Sequence, residues 1–210
     1  MFVARSRLAC PPELCTSEHA SAGAAGGLAL ACHARRTSGR AEVEAFIQSI
    51  YAKRYGAHIR HWAPSLISLM AASAVVAAAG YRHASRPLFL ERYLPESVDT
   101  LIARHAGATI SRAAIFEVGH FAARNGCGRA LMIALGQHLA ARGCTWVVCT
   151  ATRELRLLFG RMGLQPLVLG PASAGRLGAE AASWGTYYEH APMVLAGSLV
   201  PGIAALERRA

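Results

Sequence analysis

From Ala113 to Ala123 the chain reads Ala-Ala-Ile-Phe-Glu-Val-Gly-His-Phe-Ala-Ala and runs without a break into Arg124-Asn125-Gly126-Cys127-Gly128-Arg129. A near-continuous apolar run is what a strand covered on both faces requires. The Gly-x-Gly behind it suits a phosphate cradle: no side chain blocks approach, amides point outward together, and the dipole of a following helix favours an anion. Leu131, Ile133, Leu135, His138 and Leu139 fill that helix to Gly143. The pattern is neither Gly-x-Gly-x-x-Gly nor a Walker loop, because it lacks a third glycine at the required offset and any Gly-Lys-Ser/Thr. A nicotinamide or ATP site is therefore disfavoured, and a tight strand-to-helix turn without a ligand is the plain alternative.

The flanking periodicities extend this unit. Val43, Phe46, Ile47, Ile50 and Tyr51 recur at helical spacing between Glu42 and Tyr55, with Gly56 as the stop. The charge-free stretch from Trp62 to Tyr81 is long enough for a membrane span. Pro64, serines 65, 68 and 73 and a run of alanines make it weakly apolar, so it reads instead as two buried strands, Ser65–Met70 and Val75–Tyr81, joined by a turn. Pro95 and Glu96 open a helix bearing Val98, Leu101, Ile102 and His105, ended by Gly107. A strand over Cys144–Cys149, a helix capped by Thr150 or Thr152 and running through Met162, and strands over Leu164–Leu169 and Ala191–Leu199 complete the order. Strand, glycine loop, helix, strand, helix is a βαβα core, and the class is α/β. With 210 residues, one domain is expected over 41–202. Residues 1–40, rich in Ala, Gly and Ser and broken by Pro11-Pro12, read as a low-complexity N-terminal tail, and 203–210 as a C-terminal tail. Arg5 and Arg7 ahead of Ala24–Ala31 imitate a secretory signal only loosely, so a cytoplasmic location is expected.

Charge and cysteine usage narrow the chemistry. Lys and Arg number 22 against 12 Asp and Glu, a net charge of +10; the only lysine is Lys53 and the only aspartate Asp99. Arginine's planar fork suits phosphate and carboxylate, which points to an acidic partner or a phosphorylated ligand. No helix clusters arginines with interleaved aromatics, so nucleic acid is not the expected partner. The six cysteines, at 10, 15, 32, 127, 144 and 149, form no Cys-x-x-Cys pair. Cys15, His19, Cys32 and His33 match no metal-site template, and no metal is expected.

Several motifs occur in order across the domain: Tyr55-Gly56-Ala57, Pro64, Ala78-Ala79-Gly80-Tyr81-Arg82, Pro87 through Leu94, Glu117-Val118-Gly119-His120, Phe159-x-Arg161-Met162-Gly163-Leu164 and Trp184-Gly185-x-Tyr187-Tyr188. Over about residues 45 to 200 they resemble the thermostable hemolysin family of bacteria, a GNAT-like acyltransferase-fold family related to acyl-homoserine lactone synthases. The resemblance implies a central mixed, mostly antiparallel sheet with a splayed strand pair, flanked by helices on both faces. It also implies pantetheine lying in the splay and pyrophosphate on the loop amides, at Phe121, Ala122, Ala123, Arg124, Gly126, Cys127, Gly128 and Arg129. The implied reaction is transfer of a fatty acyl group from an acyl-phosphopantetheine donor, acyl carrier protein or acyl-CoA, to the amine of an amino acid or similar small molecule. Carrier protein, acidic as a class, suits the arginine-rich surface. Two positions depart from the acyltransferase pattern: Ala123 stands where Gln or Arg is usual, and Phe159 where a tyrosine often protonates the departing thiolate. The family name suggests a rival, a membrane-active protein acting directly on bilayers. Neither a strongly amphipathic helix nor strands with lipid-facing alternation are evident, so stable membrane insertion is not expected.

Glu117 and His120 are the candidate base and carbonyl donor. Their separation puts them on opposite faces of a regular strand, so both reach one site only if the strand bulges or splays. Burial would raise the pKa of Glu117 and fit it as a base, or an arginine such as Arg112 or Arg82 would hold it ionised. His120 also reads as a hydrogen-bonded core residue. Tyr187 or Tyr188 is the candidate acid, and two tyrosines near a Trp equally read as packing. Cys127 at a helix N-terminus would have a lowered pKa and could carry an acyl group, although no base is visibly tied to it.

Overall fold

The computed structural model describes residues 27–124 and 126–208; expectations for Cys10, Cys15, His19 and Asn125 lie outside that range. Seven strands form one sheet in the order β1-β2-β3-β4-β5-β7-β6. They are β1 (Leu28–His33), β2 (Ser65–Ala71), β3 (Ala74–His83), β4 (Ile115–Ala123), β5 (Trp146–Ala151), β6 (Leu167–Pro171) and β7 (Met193–Ser198). Only β4 and β5 run parallel; every other neighbouring pair is antiparallel. The helices are α1 (Arg40–Tyr55), α2 (Val98–Ala106), α3 (Cys127–Ala140), α4 (Arg153–Arg161) and α5 (Leu199–Arg208).

Side-chain alternation sorts the core into layers. Ala78, Leu66 and Ala122 meet Val43, Ile47 and Tyr51 of α1 on one face. Ala77, Ala79, Ile67 and Phe116 meet Leu131, Leu135 and Leu139 of α3 on the other. Alanines suit β3 because helices press on both of its sides. A third cluster gathers α2, the 88–94 segment, β5 and β7 around Leu90, Ile102, Val148 and Val194. The segment from Trp62 to Tyr81 is the expected hairpin, with Ala72 left-handed in its turn.

Both ends of the domain extend further than composition suggests. Residues 28–33, assigned above to the tail, form the edge strand β1 against β2. Buried Arg40 ties it down by donating to the carbonyls of His33, Ala63 and Pro64 and to Glu44. Residues 203–208, likewise read as a tail, continue α5, whose Pro201 sits in the first turn, where its missing N–H costs nothing. Gly136 lets α5 come close to α3, since a Cβ there would lie 2.9 Å from Ile203 Cγ1.

One break in the sheet positions the site. The β4–β5 ladder covers only Ile115–Val118 against Trp146–Cys149. Beyond Val118, β4 continues to Ala123 along β3, while β5 continues to Ala151 along β7. The two parallel strands part there and open a gap in the sheet.

Candidate active site

A bulge in β4 assembles the site. Gly80 pairs with Gly119 and Ala78 with Ala122, so Ala79 faces two residues, His120 and Phe121. His120 absorbs the extra residue with φ +52, a conformation few side chains adopt. The alternation of β4 resets, and Glu117 and His120 line the same pocket. Gly80 is required beneath them, because a Cβ there would lie 2.7 Å from Ala63 Cβ and 2.8 Å from His120 Nδ1.

The two polar residues are held very differently. Glu117 is buried and accepts from the amides of Phe89 at 2.8 Å and Leu90 at 3.2 Å, with Arg82 Nε 3.5 Å away. Burial raises its pKa, while Arg82 and the two amides oppose the rise. Of the arginines suggested for it, Arg82 is beside it and Arg112 is not: Arg112 joins Glu91 and Asp99. His120 lies under Trp62, ring centroids 5.2 Å apart, and its Nδ1 is buried with no hydrogen-bond partner. Burial pushes its pKa down to about 4 against a raising contact with the His61 backbone, with Arg82 and Arg40 adding to the depression. The ring is therefore neutral at pH 7, with Nδ1 packed over Gly80 and left without a hydrogen-bond partner.

Aromatic rings from three separate stretches wall the pocket: Tyr51, the pair Phe89 and Tyr93, and the group Trp184, Tyr187 and Tyr188. Tyr187 donates to the Thr150 carbonyl at 3.4 Å, just past the point where β5 leaves β4, and burial holds its phenol well above the usual range. Tyr188 is engaged with Tyr93, Oη to Oη 2.7 Å. Gly185 explains how the last segment docks on α1: its φ is +53, and a Cβ would stand 2.0 Å from the Tyr55 carbonyl oxygen. His58 N–H donates to Ser183 O at 2.6 Å and secures the same junction.

Across the sheet lies an apolar cavity of about 420 Å³, lined by residues such as Phe121, Leu135, Cys149, Leu155, Phe159 and Ile203. Val118 lines both cavities, so they adjoin where β4 and β5 part. The Cys149 thiol is pushed up to about 12 by burial and stays un-ionised.

The residues expected to cradle the donor scatter by role. Phe121 and Ala123 face α3, whereas Ala122 is buried against α1. Gly126, φ +84, is the N-cap of α3 and provides no side-chain cap; open space surrounds the place of its missing Cβ. Gly128 lies against Phe121 and Ala123, and Cys127 packs into the α3 cluster. Arg124 sits over the Phe46 ring at 5.7 Å, and Arg129 donates through Nε to Leu206 O at 3.1 Å, strapping α3 to α5. Tyr51, His61, Trp62, Phe89 and Tyr93 were not singled out from the sequence as site residues. The signal for Tyr93 was there, since Pro87–Leu94 and Trp184–Tyr188 are both motifs of the resemblance and here they touch.

Residues 33–203 match the sequence family described as Thermostable hemolysin. The chain belongs to the thermostable hemolysin family. No curated protein matches it. Among solved structures, this hemolysin-family chain is similar to BjaI, a CoA-dependent acyl-homoserine lactone synthase determined with SAM and isopentyl-CoA: TM-score 0.60, 14% identity, covering 87% of this chain and 89% of that one. Apo TofI gives TM-score 0.58 at 16% identity over 85% and 96%. FeeM, an N-acyl amino acid synthase from uncultured soil microbes, gives 0.56 at 10% over 83% and 93%. At such identities the likeness is one of fold, and that fold is the GNAT-like one: a mostly antiparallel open sheet with one splayed parallel pair and helices on both faces.

Proposed function

We propose that this hemolysin-family protein is an N-acyltransferase that moves a fatty acyl group from an acyl carrier protein or CoA thioester to the amine of an amino acid or similar small molecule. The observation that carries the reading is the meeting, at Val118, of two cavities of opposite character: an apolar one and one lined by titratable and aromatic groups. A volume of about 420 Å³ falls within the range of small-molecule pockets and suits an alkyl chain. The pantetheine arm would enter the gap, where the edge of β4 beyond Val118 is no longer paired with β5 and offers backbone groups to the arm's amides. The phosphate end would rest at the Gly126–Gly128 turn, where the space beside Gly126 is open.

In this reading the amine attacks the thioester carbon in the polar pocket. His120, already neutral, takes the amine's proton through Nδ1 as the C–N bond forms. An imidazolium in so dry a place is a strong acid, and it returns that proton to the departing sulfur as the C–S bond breaks. Tyr187, kept protonated by burial and placed at the parting of the strands, would turn its O–H from the Thr150 carbonyl, a long contact at 3.4 Å, to the departing sulfur. Glu117 has both oxygens occupied by amides of the 89–90 turn and acts as a positioning residue for the Phe89 and Tyr93 wall.

The test is intact-mass analysis of an acyl carrier protein panel, with matched acyl-CoAs, incubated with the protein and pooled amino acids, alongside Gly126→Trp. Loss of acyl mass with appearance of an N-acyl product, absent in the variant, is the expected result; no turnover of any thioester would overturn the reading. A carrier-protein donor should also lose affinity steeply with salt, given the net charge of +10.

A further inference from the structure

We infer that the polar pocket selects a small α-amino acid, glycine or alanine in size, and that Arg82 is the residue that recognises its carboxylate. The inference rests on the acyltransferase reading above and adds the class of acceptor.

Three features converge. The first is the pair of polar ends. Gly80 and Arg82 stand on the same face of β3, two residues and so about 7 Å apart along the strand. His120 Nδ1 lies over Gly80 and has no partner. Arg82 uses only Nε, at 3.5 Å from Glu117, and among the described residues its two terminal nitrogens meet no acceptor. A free lone pair therefore stands next to a free guanidinium fork. An α-amino acid has its nitrogen and carboxyl carbon about 2.5 Å apart. Held between the imidazole and the guanidinium, which line the same pocket, it would present its amine to one and its carboxylate to the other. The planar fork matches a carboxylate through two parallel bonds, which an ammonium such as that of lysine could not do.

The second feature is size. The pocket has a volume of about 70 Å³. That is about a sixth of the apolar cavity across the sheet, room for a compact acceptor rather than a bulky one.

The third is that the walls cannot retreat. Trp184 contacts both Tyr51 and Tyr187, with centroids 6.3 and 5.4 Å apart, and Tyr51 is buried against the sheet. Gly185, next to Trp184, is wedged against the Tyr55 carbonyl with no room for a Cβ. A phenyl or branched side chain on the acceptor would have to displace these rings, so the same aromatic wall that dries the site excludes large acceptors.

The experiment uses the full-length protein with an acyl thioester it turns over and single acceptors: glycine, alanine, leucine, phenylalanine, glycinamide and methylamine. The expected kcat/KM for glycine exceeds that for phenylalanine, and that for glycinamide, by at least tenfold each. In Arg82→Gln the glycine-to-glycinamide ratio falls toward one, and Arg82→Lys recovers it only in part. Because both acceptors are compared on one preparation, a variant that is partly unfolded leaves the ratio unchanged. Preference for phenylalanine or leucine would overturn the size argument. A ratio unmoved in Arg82→Gln would overturn the role of Arg82. Either result leaves the transferase reading standing, whereas no transfer to any amine would remove that reading itself.

Discussion

His120 makes the protein sensitive to acid in a way that can be isolated. In the fold its pKa is about 4, against an ordinary 6.5, chiefly because the ring is buried, with Arg82 and Arg40 adding to the depression. As pH falls through 6.5 the unfolded chain takes up a proton at this position, and the folded chain does so only near 4. Acidification across that window therefore favours unfolding, and below 4 the loss is complete. At 1.36 kcal/mol per pKa unit the full effect is about 3 kcal/mol, and roughly 2–3 kcal/mol of it is reached by pH 4.5. His120→Asn removes the titration and tolerates the left-handed backbone at φ +52. Urea unfolding of both proteins at pH 7.5 and pH 4.5 should show the wild type losing that much more stability than the variant. Comparing the two cancels the carboxylates, including Glu117, whose raised pKa acts in the opposite direction. Equal losses would mean that the imidazole is not held neutral, and the assignment of His120 as a ready base would fall with it. The same low pKa leaves the pH profile of transfer without an inflection from His120 between 5 and 8.

Two further substitutions test the walls of the pocket. Gly185→Ala must relieve a 2.0 Å clash with a backbone oxygen at φ +53, which should cost about 3 kcal/mol or more and lower Tm by about 6–12 °C; an unchanged melting curve would refute the docking of this segment on α1. Glu117→Gln replaces one acceptor oxygen with an NH₂ that must face the amide of Phe89 or Leu90, at a cost of about 1–3 kcal/mol. Its expected kinetic effect is a raised KM for the acceptor with kcat within a few-fold. A folded variant that loses kcat by about 10² or more would make Glu117 the base and displace His120.

What could be read from the residues and what could not divide along physical lines. The strand, turn and helix around Gly126 were legible because burial on both faces leaves an unbroken apolar run, and because a left-handed N-cap calls for glycine. Glu117 and His120 were legible as candidates because a carboxylate and an imidazole in such a run need a reason. Their convergence was only conditional, since a bulge alters register without altering composition; its trace is a pair of strand glycines, Gly80 and Gly119, facing each other across β3 and β4. β1 was missed because its alanine-rich sequence resembles the stretch before it, and the partner that fixes it, Arg40, lies in α1. The aromatic wall was least legible, because its members come from α1, the 88–93 turn and the 178–190 segment, and no local period links them. What joins them is backbone: Glu117 grips the amides of the turn, and Gly185 seats Trp184 against the end of α1. The site is thus built at the expense of stability, with a buried carboxylate and with an unpartnered imidazole nitrogen where an incoming amine would make the bond the protein leaves unmade. On that account an acceptor that fills the pocket should stabilise the fold as well as react in it.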